Sequence, residues 1–269
     1  MNKKNIISLL HSSLHVTKNC TLKCKLCASF SPHYKIHKPY TLKELTDEID
    51  MFFKLVDYVE DFSVTGGEPL FYKYLSEVLE KLMEYTDKIG RVLIFTNGTL
   101  FPTEKLQNIL LQNSGKILLW LDHYGELSKE IDNILEFLND NNLEFIMKKY
   151  YGEDAHCGGW VDFGNFEQIV FTQQEIEEKM RKCHYAKTKF CFAIRDGLIH
   201  PCGYSRRGLE LGKIPVKYNE YINLYDDKLT IEQQREKIID ILKCKSLTAC
   251  AYCNGLCEDS KRYIPAEQL

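Results

Sequence analysis

Three cysteines stand close together near the start of the chain, in the stretch Cys20-Thr-Leu-Lys-Cys24-Lys-Leu-Cys27. The spacing Cys-x3-Cys-x2-Cys supplies three thiolates to one loop, whereas a structural zinc site normally takes four protein ligands. An iron–sulfur cubane usually takes four cysteines as well. Three ligands therefore leave one metal position open for another molecule. A zinc knuckle, or three unrelated thiols, is the plain alternative.

The other cysteines are also unevenly distributed. The chain of 269 residues holds eleven, an odd number; seven follow residue 180, and only Cys157 lies between these and the first three. Disulfides are rarely stable in a reducing compartment, so clustered thiols there indicate metal or redox chemistry. The distribution predicts two metal-binding regions that flank a middle without one.

A hairpin signal organises the second group of cysteines. Asp196-Gly197 stands between two apolar runs, which is a strong signal for a two-residue β-turn. Counting outward from that turn places Cys191 opposite Cys202, close enough for both thiols to reach one metal centre, unless the register slips. Further on, Cys250-x2-Cys253 is a chelating pair. Taken alone, these thiols could also form a zinc ribbon.

Composition excludes several classes of protein. Hydrophobic residues make up 44% of the chain, charged residues 27%, and the net charge is −3, ordinary values for a globular protein. Where basic residues adjoin one another they form only dipeptides, so no nucleic-acid partner is expected. No apolar run approaches the roughly 18 residues of a membrane span, and the N-terminal segment 1–16 lacks a signal-peptidase site. We expect a cytoplasmic protein without a membrane partner.

Between the two cysteine groups, short apolar runs alternate with segments of helical spacing. The latter begin at Leu42, where Thr41 and Glu44 can form a capping box. This alternation indicates parallel βαβ units, arranged as an open, partial barrel or as a doubly wound sheet. A boundary is expected near residue 180. The apolar runs are Leu14–Val16, Phe62–Val64, Val92–Phe95, Ile117–Leu121 and Leu143–Met147.

These residues resemble the radical S-adenosylmethionine (radical SAM) superfamily, whose signature is Cys-x3-Cys-x2-Cys after the first barrel strand. The resemblance is strengthened by Gly66-Gly67-Glu68-Pro69 after the second apolar run and by Thr96-Asn97-Gly98 after the third. One departure is Leu26, where relatives often have an aromatic residue. The resemblance implies an α/β fold with a partial (β/α)6 TIM barrel over residues 1–180 and a small Cys-rich, twitch-like subdomain over residues 181–269.

The resemblance also implies the roles of individual residues. Cys20, Cys24 and Cys27 would hold a [4Fe–4S] cluster whose fourth iron is chelated by S-adenosylmethionine (SAM). The motif Gly66–Pro69 would face the SAM amino group through its backbone and Glu68, and the motif containing Thr96 and Asn97 would line the ribose. Asp122, at the end of a strand on the same face, could contact SAM or the substrate.

The Cys-rich end resembles the SPASM/twitch extension, whose opening pattern matches Cys183-x13-Gly197-x4-Cys202. The two-cluster form of the pattern is not met, so one auxiliary [4Fe–4S] cluster is implied. The first choice of ligands is Cys191, Cys202, Cys250 and Cys253, with Cys183 as the alternative ligand. Cys157, Cys244 and Cys257 are then candidate hydrogen donors to a substrate radical, although a small buried residue or a redundant ligand is the plainer interpretation of each.

The function implied is reductive cleavage of SAM to a 5′-deoxyadenosyl radical, which abstracts hydrogen from an unactivated C–H bond. The cluster motif begins at residue 20, which favours a small molecule such as a sugar, aminosugar or nucleotide-sugar over a leader peptide. Either epimerisation or dehydrogenation would follow, with flavodoxin or ferredoxin as reductant. The alternatives are maturation of a peptide or protein side chain and a non-catalytic metal-binding module.

Overall fold

The computed structural model of the chain describes residues 6–35 and 39–269; the first five residues of the N-terminal segment lie outside that range. Five parallel strands alternate with four helices, and each of the five apolar runs falls in or overlaps a strand. The elements are β1 (Ser8–Thr17), α1 (Leu42–Leu55), β2 (Tyr58–Gly66), α2 (Leu75–Met83), β3 (Ile89–Thr96), α3 (Glu104–Gln112), β4 (Ile117–His123), α4 (Ile131–Asp140) and β5 (Phe145–Lys149).

The C-terminal half adds four helices and three short strands. They are α5 (Gln173–Lys182), α6 (His184–Lys187), β6 (Phe192–Arg195), β7 (Leu198–His200), α7 (Gly203–Glu210), β8 (Ile222–Asn223) and α8 (Ile231–Lys243). The boundary expected near residue 180 falls within α5 and stays a prediction. Across the described part of the chain, no helix is both long and apolar enough to cross a bilayer.

All eight strands belong to one sheet in the order β5-β4-β3-β2-β1-β6-β7-β8. The α/β partial-barrel class is confirmed, but the sixth parallel strand, β6, does not lie beside β5 in the sheet. Strand β6 pairs instead with the opposite edge, where Leu14 of β1 lies beside Ile194. The reason is that residues 150–172 form a long loop and supply no further βα unit.

The hairpin of β6 and β7 has the expected register. Arg195 pairs with Leu198, and Ile194 pairs with Ile199. Asp196 and Gly197 both have positive φ, at 52° and 72°, as the favoured two-residue turn requires. The turn sequence therefore predicts the register of this hairpin correctly.

The two faces of the sheet differ in polarity. On the outer face, side chains such as Leu14, Phe62 and Ile94 are fully buried against helices α1 to α4. On the inner face, Ser13 and Ser63 lie at the neighbouring positions and line a cavity. Because side chains alternate along a strand, one apolar face stabilises the fold while the other face is free to carry chemistry.

Helix α1 begins as expected. Thr41 Oγ1 accepts a hydrogen bond from the N–H of Glu44, and Glu44 Oε2 accepts one from the N–H of Thr41, at 3.2 and 2.8 Å. The helix ends at Leu55, and the segment after it turns into β2. In the sequence, apolar residues continue at spacings of three and four from Leu42 to Val59. This pattern extends beyond the end of the helix, because Val59 is a buried strand residue.

Arg235 connects the Cys-rich half to the barrel. Its guanidinium donates to the carbonyl oxygen of Leu55 at 2.7 Å and to Asp57 Oδ2 at 2.6 Å. The same Asp57 oxygen accepts the N–H of Ile7 at 2.8 Å. One arginine of α8 thus fastens the end of α1 and the entry of β1, and its side chain is only 6% exposed.

Replacing Arg235 by Met should lower the free energy of unfolding by about 2 kcal/mol, since the acceptors around a buried charge lose their donor. Urea denaturation of the apo protein, followed by circular dichroism, measures the change. Lys43→Met is the matched control, because Lys43 forms an exposed i,i+4 pair with Asp47 and should cost less than about 0.5 kcal/mol. Equal effects of the two substitutions would contradict the role given to Arg235.

Candidate active site

A cavity of about 440 Å³ lies against the inner face of β1 to β4, within the size range of small-ligand sites. The loop after β1 forms one side of it and carries three cysteines. Most residues expected from the sequence line this cavity, whereas Glu68 and Pro69 do not. The expected residues on its wall are Cys20, Cys24, Cys27, Gly66, Gly67, Thr96, Asn97 and Asp122.

Two glycines let the second strand pack directly onto the cysteine loop. The N–H of Gly67 donates to the carbonyl oxygen of Thr17, and the N–H of Glu68 donates to that of Asn19, both at 2.8 Å. A Cβ on Gly67 would overlap the Asn19 carbonyl, and Gly66 has φ +146°. The Gly66-Gly67 pair is therefore required by a close backbone approach.

Glu68 is fully buried and has a structural partner for each oxygen. Oε2 accepts the N–H of Asn97 at 2.8 Å, and Oε1 accepts the N–H of Leu70 at 3.0 Å. Burial raises the pKa of this carboxyl to about 7, although the two backbone donors act in the opposite direction. Glu68 thus joins the ends of β2 and β3, and it is not on the cavity wall where the resemblance would place it.

Asn97 carries this connection back to the cysteine loop. Its Nδ2 donates to Thr21 Oγ1 at 3.2 Å and lies 3.5 Å from Cys20 Sγ. Its own carbonyl oxygen accepts the hydroxyl of Ser128 at 2.7 Å. The Thr96-Asn97 segment is consequently fixed between the β4–α4 connection, at Ser128, and the loop that carries the first three thiols.

The three thiols of that loop are poised for a cationic metal group. Burial, with a smaller contribution from neighbouring thiols, raises the pKa of Cys20 to about 12 and that of Cys24 to about 11. The thiolate forms of these two are disfavoured without a cation, and a metal cluster would reverse this preference because it binds thiolates. Three thiols on one cavity wall, a glycine cradle and an amide donor beside Cys20 fit a cluster with an open iron.

Aromatic side chains form the opposite wall of the cavity. The rings of Tyr124 and Tyr150 stack at 5.3 Å, and Trp160 meets Tyr124 edge-on at 5.6 Å. Asp122 lies beside them and accepts Trp120 Nε1–H at 3.0 Å. Burial raises the pKa of the Asp122 carboxyl to about 7. The wall offers flat apolar surfaces and one carboxyl group.

A second group of thiols lines a separate, apolar cavity: Cys183, Cys202, Cys250 and Cys253. Burial raises the pKa of Cys250 to about 12 and also raises that of Cys253. The N–H of Gly255 donates to Cys253 Sγ at 3.2 Å, and Cys202 occupies the position just before the first residue of α7. In the described ranges no three His, Cys, Asp or Glu side chains are gathered as tightly as a single metal ion would require.

Cys191 is placed apart from those four thiols. Its Sγ lies 3.7 Å from Ser13 Oγ, and it lines the barrel cavity together with Ser13 and Tyr185. Lys189 and Phe190 both have positive φ, near 65°. The hairpin keeps the expected register, but its paired residues end at Ala193 and His200, two positions short of Cys191 and Cys202. Cys183 lies in the apolar cavity that Cys191 does not reach.

The three cysteines expected as hydrogen donors lie elsewhere. Cys157 is exposed on the long loop, next to His156. Cys244 follows α8 in an outer groove that Lys245 also lines. Cys257 is buried near Gly255. None of the three is on the wall of the barrel cavity.

Sequence comparison identifies the class of protein. The family model described as the radical SAM superfamily matches residues 14–148. A GTP 3′,8-cyclase of Helicobacter pylori is 34% identical over 87 residues, which cover 32% of this chain. The subtilosin biosynthesis protein AlbA of Bacillus subtilis is 32% identical over 103 residues, or 36% of this chain. The matched regions span only 26% and 20% of those two relatives.

A structural comparison extends over nearly the whole chain. The crystal structure of BtrN in complex with AdoMet and 2-DOIA matches with a TM-score of 0.54 and 16% identity, covering 99% of this chain and 100% of that one. At this identity the likeness concerns the fold, including the Cys-rich half. The chain belongs to the radical SAM superfamily.

Membership indicates the cofactors, a [4Fe–4S] cluster and SAM, and the Cys-rich end is consistent with an auxiliary cluster. When bound, such cofactors would supply hydrogen-atom abstraction. The chain's own residues hold the cysteine loop in place and shape the cavity.

Sequence reasoning missed several residues of the site. Ser13 and Tyr185 line the cavity, and Gln268 contacts Cys24 across 244 positions of sequence. No local pattern marks them. The strand register predicts an inward side chain at position 13, since Ser13 alternates with the buried Leu14, whereas the other two follow only from the tertiary fold.

Gly67→Ala should separate the cysteine loop from β2, because the added methyl group meets the Asn19 carbonyl. We expect the reconstituted protein to lose the iron of the first cluster, about four atoms of roughly eight in two cubanes, as measured by iron and sulfide analysis. Gly115→Ala is the control: its positive φ disfavours alanine, but the added methyl group meets open space. Full iron content in Gly67→Ala would contradict this account.

Proposed function

We propose that this enzyme abstracts a hydrogen atom from a small polar molecule of the sugar, aminosugar or nucleotide-sugar class and returns a hydrogen from the thiol of Cys191, so that a carbon centre is epimerised. The observation that carries the proposal is the position of Cys191. Of the described cysteines outside the Cys20–Cys27 loop, it is the one that lines the barrel cavity.

The character of the cavity supports a small, polar substrate. Its volume suits small ligands, and the Tyr124, Tyr150 and Trp160 rings offer flat surfaces on which the C–H face of a sugar can pack. The Asp122 carboxyl, whose pKa burial raises to about 7, would ionise on meeting an amine. An aminosugar satisfies both features. A nucleotide-sugar accords with the GTP-named relative.

Cys191 suits hydrogen donation because burial raises the pKa of its thiol and keeps it protonated. Its S–H points to Ser13 Oγ, which orients it. The carbon radical of the substrate takes this hydrogen atom, so a C–H bond forms and the S–H bond breaks. One electron from a flavodoxin- or ferredoxin-class donor and one proton then restore the thiol. The free thiols suit a reducing cytoplasm.

The auxiliary ligand set proposed here is Cys183, Cys202, Cys250 and Cys253. The four thiols share one apolar cavity, and neighbouring thiols raise the pKa of Cys250 and Cys253 further. No such neighbour acts on the pKa of Cys191. The proposal therefore exchanges Cys191 for Cys183, the alternative ligand from the sequence.

Dehydrogenation is the second candidate function. Tyr185 lines both the barrel cavity and the apolar cavity of the four thiols, so a substrate radical would lie close to an electron acceptor held there. Loss of one electron and one proton from the radical would then give an oxidised product. Modification of a peptide stays a further alternative, favoured by the resemblance to AlbA.

Iron analysis of single variants tests the ligand set. Cys183→Ala should reduce the iron content of the anaerobically reconstituted protein from roughly eight to about four atoms, because one corner of the auxiliary site is lost. Cys191→Ala should keep roughly eight and is the matched control. If Cys191→Ala loses the iron and Cys183→Ala retains it, the original assignment from the hairpin is correct instead.

Solvent deuterium tests the reaction. With SAM, dithionite and a panel of aminosugars and nucleotide-sugars in D2O, the epimerised product should carry one deuterium at the inverted carbon, since a thiol exchanges its hydrogen with solvent. Cys191→Ala should abolish the epimer and still release 5′-deoxyadenosine.

Cys157→Ala, on the exposed loop, should behave as the unmodified enzyme. Mass spectrometry and proton NMR of the product distinguish the outcomes. An oxidised product without deuterium would establish dehydrogenation, and an epimer formed by Cys191→Ala would exclude this thiol as the donor.

A further inference from the structure

The segment 263–269 is hydrogen-bonded to two stretches of chain that carry residues of the cavity wall, one at Trp160 and one in the cysteine loop. At one end, Tyr263 exchanges backbone hydrogen bonds with Trp160, at 2.8 and 2.9 Å. At the other end, the N–H of Lys25 donates to the carbonyl oxygen of Glu267 at 2.8 Å, and that of Leu269 donates to Lys23 at 2.9 Å. The segment is thus paired with both the aromatic wall and the cysteine loop.

Gln268 is oriented toward a cluster cysteine by three contacts of its side-chain amide. Its Oε1 accepts the N–H of Lys23 at 2.8 Å. Its Nε2 donates to the carbonyl oxygen of Ala266 at 2.6 Å and to Cys24 Sγ at 3.4 Å. The two hydrogens of the amide nitrogen are both used, and the oxygen contact fixes which way the amide faces.

The acceptor side of this contact is buried, whereas the donor side is open. Cys24 is 6% exposed and Ala266 is 2% exposed, while Gln268 is itself an exposed residue held in place by its three hydrogen bonds. Ala266 adopts φ +52°, a conformation that is unfavourable for alanine and that the Gln268–Ala266 bond closes into a turn. The Lys25–Glu267 ion pair, with both side chains about half exposed, contributes less.

We propose that Gln268 is a positioning residue for the SAM-binding cluster: its amide N–H donates to the Cys24 thiolate and raises the reduction potential of the cluster. Hydrogen bonds to cluster sulfurs stabilise the more negatively charged, reduced state. The enzyme must reduce this cluster before SAM can be cleaved, so the donor makes the electron-accepting step easier. The inference rests on membership of the superfamily and does not depend on the substrate proposed above.

The test is the midpoint potential of the reconstituted holoenzyme, followed by low-temperature EPR during anaerobic titration. The signal that changes on addition of SAM belongs to the cluster at Cys20–Cys27, and any other cluster signal serves as an internal reference. Gln268→Leu is the primary variant, because it removes the N–H donor at similar volume and without adding a charge. Gln268→Glu keeps an acceptor for the Lys23 N–H, removes the donor and adds a negative charge, which acts on the potential in the same direction.

Both variants should lower the equilibrium constant for reduction about tenfold, which corresponds to about 59 mV for one electron, while the internal reference stays in place. Glu267→Gln is the matched control, since it breaks the Lys25 ion pair and keeps the Gln268 amide; its potential should not move. Hydrogen exchange at the Lys25 amide reports whether the segment stays paired.

Two results would overturn the proposal. One is an unchanged potential in Gln268→Glu while the Lys25 amide stays protected. The other is an equal shift in Glu267→Gln, which would assign the effect to the segment as a whole. If Gln268→Leu releases the segment, an unchanged potential in Gln268→Glu still overturns the proposal, because that variant retains the acceptor for Lys23.

Discussion

The site depends on one close approach, that of the Gly66-Gly67 backbone to the loop after β1. Two peptide N–H groups meet the carbonyl oxygens of Thr17 and Asn19 at 2.8 Å, where any side chain on Gly67 would overlap. This contact fixes the loop that carries the first three cysteines. Glu68 extends it to β3 by accepting the Asn97 N–H, and Asn97 returns to the loop at Thr21. Three strand ends thus hold one another, and the cofactor motifs are parts of a single hydrogen-bonded structure.

Beyond that contact, the thiols are separated by environment. The barrel cavity is polar on its strand side, with Ser13 and Ser63 on its wall, whereas the second cavity exposes almost only apolar surface around its four thiols. Two residues with positive φ, Lys189 and Phe190, lead directly into Cys191 on the wall of the barrel cavity. Tyr185 is a side chain that both cavities share.

The sequence predicted what local chemistry determines. The five apolar runs, the capping box at Thr41 and the Asp196-Gly197 turn each depend on neighbours in sequence, and the structure contains all of them. It did not predict that β6 joins the β1 edge, because strand order follows from how a long loop crosses the barrel. The hairpin alone did not show which cavity Cys191 lines, because its paired residues end at Ala193. The contact between Gln268 and Cys24 spans 244 positions, beyond the reach of any periodic pattern.

Two buried carboxyl groups show how structural and chemical roles are divided at this site. Burial raises the pKa of Glu68 and of Asp122 to about 7 in both cases, so their charge alone does not distinguish them. Glu68 is fully buried and both of its oxygens accept backbone N–H groups. Asp122 lines the cavity, where a cationic ligand group can reach its carboxyl. A ligand amine would therefore ionise Asp122, while Glu68 maintains the connection between β2 and β3 on which the cysteine loop rests.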